Sequence, residues 1–338
     1  MLRALQLAKN GLGSTYPNPM VGCVIVYNDK IIGEGWHHQA GQAHAEVNAI
    51  ESVKDKALLK NSTIYVTLEP CSHFGKTPPC ADRIIAEGIP RVVVGSTDPN
   101  PKVSGNGIKK LQEAGCEVVN GVLENQCREI NKRFFTFQTK NRPFIILKWA
   151  ENSNRLIAPL SKDHQAPVWI TNIFSRQIAH KMRAQEQAIL IGTNTAHSDN
   201  PSLTTRDWHG ASPLRIIIDR RGVLSLDLNA FDGHAKTLVF TEVDIDNTET
   251  IRYKKVDFNN DLPNQICETL YELNIQSLII EGGAQTLQHF IAANLWDEAY
   301  IFSGATSFSE GIAAPTISGR IITETSLVQD QLTIYKND

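Results

Sequence analysis

The sequence lacks a strong charge of either sign, because 33 lysines and arginines nearly balance 36 aspartates and glutamates and leave a net charge of −3. Aromatic residues are also few, at 7%. Proteins that bind nucleic acid usually present a basic face with aromatic stacking platforms. The composition therefore argues against nucleic acid as a partner.

The sequence also lacks a run of about 18 apolar residues, the length that a membrane-spanning helix requires. Its beginning, MLRALQLAKNGLGS, has helical spacing with charges inside it and no long apolar stretch, unlike a secretory signal. We therefore expect a cytoplasmic protein with no membrane partner.

Cysteine is scarce, with six residues in a chain of 338. Six cysteines in a long chain without an export signal do not indicate a disulfide framework. Cys23, Cys116, Cys127 and Cys267 lie in apolar or helical contexts, where cysteine usually serves as a buried packing residue. The remaining two, Cys71 and Cys80, are candidates for chemistry.

The length predicts two domains, since 338 residues exceed a typical single domain. The first half alternates strands and helices, which predicts a mainly parallel sheet covered by helices. It begins with a hairpin, VGCVIVYN and KIIGEGW, joined at Asn28-Asp29, and closes with one helix over LENQCREINKRFFTFQ. The pattern breaks at KNRP, residues 140–143, so we place domains at 1–141 and 142–338.

The second half is also α/β. Its apolar runs FIILKWA, VWIT, AILIG, LRIIID, TLVFT and SLIIE read as strands, with helices between several of them. It contains no G-x-G-x-x-G fingerprint, so a Rossmann domain is not supported. The junction SLIIEGGAQ has paired glycines between a strand and a helix, where backbone N–H groups can approach a phosphate. The same sequence is also typical of a simple tight turn.

Residues 44–80 contain the parts of a hydrolytic zinc site. His44, Cys71 and Cys80 are possible ligands, and three protein ligands leave a fourth position for water. Glu46, two residues after the histidine, could move a proton from that water to a leaving amine. Zinc deaminases share this H-x-E and P-C pattern, but here eight residues rather than two separate the cysteines. The alternative is a closed structural zinc site with His73 as its fourth ligand.

The segments HAEVNAI, TLEPCSHFGKTPPCA and NPMVGCVIV resemble the deaminase half of the bifunctional deaminase/reductase family of riboflavin biosynthesis. The resemblance implies a cytidine-deaminase-like three-layer α/β/α fold and zinc-dependent removal of the 2-amino group from 2,5-diamino-6-ribosylamino-4(3H)-pyrimidinone 5′-phosphate. It implies that Glu46 is the proton shuttle and that His44, Cys71 and Cys80 hold one Zn²⁺. The residues implied to contact this substrate are Asn18, His37, His73 and Lys76.

The segments WITNIFSRQIAHKMR, AILIGTNTAHSDNPSLTTR, PLRIIID and IIEGG resemble the reductase half of that family. The resemblance implies a dihydrofolate-reductase-like α/β fold, NADPH as hydride donor to the ribosyl C1′, and a homodimer. The positions implied to hold NADPH are Glu151, Ile170, Thr195, Asp199, Asp219 and Gly283. Those implied to hold substrate are Lys148, Val168, Arg183, Ser202, Leu203, Arg206 and Glu281. Arg215, with Arg183 and Arg206, is a further candidate for clamping a phosphate, although a solvated arginine is commoner.

One departure from the family concerns the reductase. After FIILKWA the family commonly has Ser-x-Asp-Gly, whereas this chain has Asn154 and Arg155 in place of the acid and the glycine. Arginine adopts a left-handed turn poorly, so we expect a rebuilt loop. A deaminase whose C-terminal half binds substrate without reducing it remains the alternative.

Overall fold

The computed structural model of the chain describes residues 1–72, 78–100 and 104–337. The chain divides into two units, Met1–Asn141 and the part from Arg142 onward. No helix in these described ranges combines the length and the apolar character that crossing a membrane requires.

The N-terminal unit is built on a five-stranded sheet in the order β2-β1-β3-β4-β5. Its strands are β1 (Gly22–Tyr27), β2 (Lys30–Trp36), β3 (Thr63–Leu68), β4 (Arg91–Ser96) and β5 (Glu117–Val119). Its helices are α1 (Leu2–Ala8), α2 (Ala45–Ser52), α3 (Cys80–Ala86), α4 (Asn106–Glu113), α5 (Glu124–Ile130) and α6 (Lys132–Lys140), with short 3₁₀ turns at Lys9–Gly11 and Lys56–Asn61.

The predicted hairpin is confirmed, because β1 and β2 are antiparallel and Asn28 and Asp29 both turn with positive φ, 47° and 58°. That geometry suits the two-residue turn of a twisted hairpin. The prediction of a mainly parallel sheet holds only for β3, β4 and β5, since β1 is antiparallel to both of its neighbours.

Helices cover both faces of this sheet. Cys23 and Ile25 of β1 face a core that includes residues of α2, α3 and α4. Val24, between them, faces α1 on the other side. Gly22 permits this contact, because a Cβ there would lie 2.0 Å from the carbonyl oxygen of Ala4. Successive side chains of β1 point to opposite faces of the sheet, so the strand packs against helices on both sides and the unit has three layers.

The single closing helix predicted for this half is wrong, since α5 and α6 are separated at Asn131. The Asn131 side chain accepts a hydrogen bond from the Met20 backbone N–H and donates one to its carbonyl, both at 2.8 Å. Asn131 itself has φ of −102° and ψ of 18°, so the helical backbone is interrupted at the residue whose side chain bonds to Met20.

The C-terminal unit contains a nine-stranded sheet in the order β11-β10-β9-β8-β12-β6-β13-β16-β15 and a small sheet of β14 and β7. The strands are β6 (Phe144–Asn152), β7 (Leu156–Ala158), β8 (Ala188–Gly192), β9 (Leu214–Ile218), β10 (Thr237–Thr241), β11 (Ile251–Lys255), β12 (Ser277–Ile280), β13 (Glu298–Gly304), β14 (Ile312–Ala313), β15 (Arg320–Leu327) and β16 (Asp330–Lys336). The helices are α7 (Ile173–Gln185), α8 (Thr193–Asp199), α9 (Leu262–Glu272) and α10 (Ala284–Ala292), with a 3₁₀ turn at Asn229–Phe231.

The seven neighbouring strands β11, β10, β9, β8, β12, β6 and β13 are parallel to one another. Strand β16 is antiparallel to β13, and β15 is antiparallel to β16. Ile145 and Leu147 of β6 belong to the core under α9 and α10, whereas Phe144 and Ile146 belong to the core under α7 and α8. Burial on both faces explains why these strands read as continuous apolar runs.

The strand predicted for VWIT is wrong, because residues 168–171 have no regular structure. Trp169 is 54% exposed. The segment ends at Asn172, whose side chain accepts hydrogen bonds from the backbone N–H groups of Phe174 and Ser175 and caps α7. VWIT therefore leads into a helix instead of joining the sheet.

Candidate active sites

Three possible metal ligands converge in the N-terminal unit. His44 immediately precedes α2, Cys71 follows β3, and Cys80 is the first residue of α3. Their donor atoms all lie within 4.8 Å of one another. Nδ1 of His44 is 3.7 Å from Sγ of Cys71 and 3.3 Å from Sγ of Cys80.

These separations suit a tetrahedral zinc ion, for which bonds of about 2.3 Å to sulfur and 2.1 Å to nitrogen place the two atoms about 3.6 Å apart. A hydrogen bond from the Cys80 thiol is the main reason that the pKa of Cys71 lies well below its ordinary value. The backbone N–H of Cys80 also donates to Sγ of Cys71, at 3.2 Å. The donor set is thus chemically suited to a metal. His73, the fourth ligand of the structural alternative, lies outside the described residues, as does Lys76.

Glu46 lies in the first turn of α2 and is only 3% exposed. Burial is the main cause that raises the pKa of Glu46 to about 7, and the neighbouring Cys71 adds to the effect. A carboxyl group that exchanges its proton near neutrality is suited to general acid–base catalysis. The residue therefore has the location and the chemistry expected of a proton shuttle.

Asn18 and His37 lie beside the metal ligands. Nδ1 of His37 is 3.1 Å from the carbonyl oxygen of Ala43, to which it donates, so Nε2 accepts from the Asn18 amide at 3.0 Å. Burial is the main cause that lowers the pKa of His37, which favours this neutral ring. Its centroid is 5.3 Å from that of His44. A neutral histidine thus fixes the amide of Asn18 close to the candidate metal centre.

Glu69 was missed by the sequence analysis. It is buried at the end of β3, and its carboxylate accepts hydrogen bonds from the backbone N–H groups of Asp98, Gly105, Gly107 and Ile108. Those bonds connect the strand end that precedes Cys71 to the first turn of α4 and to the residues before it. A charged residue directly after an apolar strand was the signal that could have identified it.

A second candidate site is a cavity of about 1220 Å³ in the C-terminal unit. It lies at the carboxyl ends of β6, β8 and β12, the usual ligand position in open α/β sheets. The residues of the sequence prediction that line it are Lys148, Val168, Ile170, Arg183, Thr195, Asp199, Ser202, Leu203, Arg206, Glu281 and Gly283. Glu151 and Asp219 do not belong to this lining.

Three charged residues of the lining form an ion-pair triad. Glu281 contacts Lys148 at 3.0 Å and Arg183 at 2.7 Å. Burial opposes ionisation of Glu281, but the two cations outweigh it and hold its pKa at about 2. Nε of Arg183 is buried and has no hydrogen-bond partner among the described residues. The guanidinium thus has a donor that a bound anion could satisfy.

The glycine pair predicted to approach a phosphate lies between β12 and α10. The backbone N–H of Gly283 donates to Oγ1 of Thr195 at 2.9 Å. This bond holds α8 and the glycine turn together, so the Gly283 N–H is already engaged in the protein. Thr195 of α8 and Gly283 of the turn both line the cavity.

The two predicted residues outside the lining have structural partners. Glu151 is buried and accepts a hydrogen bond from Nε1 of Trp149 at 2.8 Å. Asp219 follows β9, and its Oδ2 accepts from the Leu224 N–H at 3.0 Å. Its buried Oδ1 has no partner among the described residues.

Arg215, the third candidate for a phosphate clamp, is fully buried. Its guanidinium pairs with Asp232 at 2.8 Å and donates to Oγ1 of Thr237 at 3.2 Å. A side chain engaged in this way holds the ends of β9 and β10 together, so the phosphate prediction for Arg215 is wrong.

Arg155 adopts the left-handed conformation, with φ of 59°. Its N–H donates to the carbonyl oxygen of Asn152 at 2.9 Å, and Oδ1 of Asn152 accepts from the N–H groups of Asn154 and Leu156. The loop is therefore a tight turn held by Asn152, in which an arginine occupies a conformation that glycine adopts more easily.

Several cavity residues were missed by the sequence analysis. Arg176 and His180 of α7 line the cavity beside Arg183. Lys162, in the segment before α7, also lines it and pairs with Asp199. Helical spacing of Arg176, His180 and Arg183 on one helix was the available signal.

Each unit matches a known family. Residues 1–96 match the cytidine and deoxycytidylate deaminase zinc-binding region, and residues 159–319 match the RibD C-terminal domain. Together with the relatives below, these matches confirm the predicted fold class in both halves, cytidine-deaminase-like and then dihydrofolate-reductase-like.

Similarity to known proteins extends over nearly the whole chain. Riboflavin biosynthesis protein RibD of Aquifex aeolicus is 42% identical over 97% of this chain and 92% of its own length, and that of Synechocystis is 39% identical over 95% and 87%. The crystal structure of a diaminohydroxyphosphoribosylaminopyrimidine deaminase/5-amino-6-(5-phosphoribosylamino)uracil reductase from Thermotoga maritima is 37% identical, with a TM-score of 0.91 over 99% of this chain and 97% of that one. The chain therefore belongs to the RibD family of riboflavin biosynthesis enzymes, which join a deaminase domain to a reductase domain.

Proposed function

We propose that the chain catalyses two successive steps on one phosphoribosyl-pyrimidine. Residues 1–141 would remove the 2-amino group of 2,5-diamino-6-ribosylamino-4(3H)-pyrimidinone 5′-phosphate, and residues 142–338 would reduce the ribosyl group of the product with NADPH. The observation that carries the proposal is the convergence of three metal donors within 4.8 Å beside the buried Glu46.

In the deaminase, His44, Cys71 and Cys80 would hold zinc, which supplies Lewis-acid activation of water. As the water oxygen attacks ring carbon C2, Glu46 takes its first proton and passes it to the ring nitrogen of the C2=N bond. Glu46 then takes the second proton, from the hydroxyl formed at C2, and delivers it to the exocyclic amino group. The exocyclic C2–N bond breaks, ammonia leaves, and a C2 carbonyl beside a ring N–H remains. The raised pKa of Glu46, about 7, supports both halves of this transfer.

Asn18 and His37 would orient the pyrimidine. His37 is neutral and bonded on both ring nitrogens, so it fixes the Asn18 amide instead of exchanging protons. We propose that Asn18 bonds to the heterocycle and that His73 and Lys76 serve the substrate as well.

In the reductase, NADPH would supply a hydride to the ribosyl C1′. The C1′–O4′ bond breaks and O4′ takes a proton, for which Lys148 is the proposed donor. Glu281 keeps Lys148 in place at 3.0 Å. Arg183 and Arg206, with Ser202 and Leu203, would hold the substrate phosphate and ribose.

The size of this cavity supports a dinucleotide bound beside the substrate. Its volume of about 1220 Å³ exceeds the ~300–1,000 Å³ of ordinary small-ligand pockets, so a cofactor and a substrate can lie side by side. The buried Nε of Arg183 lacks a partner among the described residues, which supports the substrate phosphate proposed above for this side chain. We propose that Ile170, Thr195, Asp199 and Gly283 contact NADPH.

The alternative, a deaminase whose second unit does not reduce its ligand, rests on Asn154 and Arg155. A coupled assay with the diaminopyrimidinone phosphate separates the two. We expect release of ammonia without NADPH, and oxidation of NADPH once the deaminated product has formed. Ammonia release with no NADPH oxidation would establish the alternative.

Glu46→Gln tests the deaminase assignment. We expect zinc content to equal that of the wild type and ammonia release to fall at least about a thousandfold, because the substitution removes the proton carrier and no ligand. NADPH oxidation with the deaminated substrate serves as the internal control and should be unchanged. Ammonia release near the wild-type rate would show that the metal site is structural.

We also propose that the enzyme is cytoplasmic and homodimeric. The edge strand β15 of the C-terminal unit is largely exposed and includes Ile321 and Ile322, which supports a further chain covering it. Light scattering coupled to size exclusion should give twice the chain mass of 37.5 kDa. A single chain mass at micromolar concentration would contradict the dimer.

A further inference from the structure

Three arginines are among the cationic side chains that line the reductase cavity. Arg176 and Arg183 project from α7, and Arg206 lies in the segment between α8 and β9. His180, one turn from both arginines of the helix, is only 2% exposed. His180 lies buried where α7 contacts the segment that carries Arg206.

His180 binds the backbone of the arginine-bearing segment. The N–H of Arg206 donates to Nδ1 of His180 at 3.0 Å. Because Nδ1 accepts, the ring proton is on Nε2, which lies 3.4 Å from the carboxylate of Asp207. Asp207 in turn pairs with Arg176 of α7. A buried imidazole thus connects the helix to two consecutive residues of the segment.

The other end of Arg206 is also held. Its Nη1 donates to Oγ1 of Thr204 at 3.0 Å, and the carbonyl oxygen of Thr204 accepts from Arg183 at 3.3 Å. Backbone and guanidinium of Arg206 are therefore fixed separately, by His180 and by Thr204. Fixing both ends reduces the rotamer entropy that an arginine loses when it binds an anion.

His180 contributes no charge to this cluster. Burial is the main cause that lowers its pKa to about 4, and the positive charge of Arg183 adds to the effect. A neutral ring can accept a backbone hydrogen bond where a protonated one could not. The role open to His180 is therefore positional.

We propose that His180 is a positioning residue that orients Arg206 toward the phosphate of the ribosyl substrate and so determines selectivity for the phosphorylated form. The proposal rests on the reductase function proposed above. It separates two tasks: Arg206 contacts the phosphate, while His180 sets the backbone from which that side chain extends.

Two substitutions at one position test this role. His180→Leu removes the acceptor, whereas His180→Asn places an amide oxygen near the position of Nδ1 and keeps it. For His180→Leu we expect the KM for the phosphorylated, deaminated substrate to rise about tenfold, because a misplaced Arg206 would lose a hydrogen bond to the charged phosphate. We expect kcat to stay within about twofold of the wild type. His180→Asn should restore KM to within about threefold of the wild type.

The dephosphorylated substrate is the matched control, because its KM should not change in either variant, and neither should the KM for NADPH. A rise in KM that is equal for both substrates, a fall in kcat at constant KM, or an asparagine variant that behaves like the leucine variant would overturn the proposal. If leucine disturbs folding by circular dichroism, His180→Ala replaces it, with the same rise expected.

A binding measurement separates failure of this proposal from failure of the reductase assignment. Calorimetric titration with ribose 5-phosphate needs no hydride transfer, and its Kd should rise about tenfold in His180→Leu and stay within about threefold in His180→Asn. If the wild type oxidises no NADPH but the Kd values follow this pattern, the reductase assignment is wrong and the positioning role of His180 still holds. Equal Kd values in wild type and His180→Leu, or wild-type binding no tighter than that of ribose, overturn the proposal.

Discussion

Glu281 offers a quantitative test of the reductase cavity, because one carboxylate balances Lys148 and Arg183. Its pKa of about 2, against an ordinary 4.5, means that folding favours the ionised form. Each pKa unit corresponds to about 1.4 kcal/mol, so the charge contributes about 3 kcal/mol to the stability of the C-terminal unit at pH 7. Glu281→Gln preserves size and removes the charge, and we expect it to cost about that amount.

The pH dependence has a definite sign. Because the pKa of Glu281 is lower in the folded state, its contribution is complete above pH 4.5 and is lost as the pH falls from 4.5 toward 2. The difference between wild type and Glu281→Gln should therefore be constant from pH 7 to pH 5.5 and shrink to about 2 kcal/mol near pH 3.5. Urea unfolding followed by tryptophan fluorescence measures it, since Trp149, Trp169, Trp208 and Trp296 all belong to the C-terminal unit.

The matched control is Glu272→Gln, which removes an exposed carboxylate 4.0 Å from Lys254. An exposed pair of this kind should change the free energy of unfolding by less than about 0.5 kcal/mol. If Glu281→Gln costs no more than this control, or if its cost persists unchanged below pH 4, the reasoning from the triad is refuted.

Two further outcomes follow from single residues. Arg155→Gly should raise the free energy of unfolding of the C-terminal unit by about 1 kcal/mol, because glycine adopts the φ of 59° without the steric cost that arginine bears; a fall in the urea midpoint would contradict this. His180, whose pKa burial lowers to about 4, should remain neutral down to pH 5.5 in long-range ¹H–¹⁵N spectra, so its contribution to stability is complete above pH 6.5 and declines as the pH falls toward 4. A ring that titrates near pH 6.5 would contradict the buried geometry.

The metal ligands were accessible to sequence reasoning because their spacing carries the chemistry. His44 and Glu46 begin one helix, Cys71 follows a strand, and strand ends and helix beginnings meet at one rim of an α/β sheet. Asn131 was not accessible in this way. Its bonds to Met20 span 111 positions, and no local pattern separates an asparagine that holds a distant loop from one on a helix surface.

The role of Arg215 was also not accessible from the sequence. The sequence allows Arg215 either to clamp a phosphate or to be solvated, and it does not indicate the fully buried, paired charge that the structure shows. Asp232, seventeen positions later, supplies the partner that makes it structural. A charge can be assigned only when its partner is known, and the partner depends on tertiary structure.

Strand order decides which residues of the C-terminal unit form a site. Several buried strands here end in polar residues, as with Glu281 after β12 and Asp219 after β9. Strand β12 lies between β6 and β8. Glu281, after β12, therefore pairs with Lys148 of β6, and Gly283, two residues later, donates a hydrogen bond to Thr195 of α8, the helix that follows β8. Asp219 ends the strand on the far side of β8 and is absent from the cavity lining. A polar residue after an apolar run therefore predicts the rim of the sheet, and only the order of the strands determines which rim residues act together.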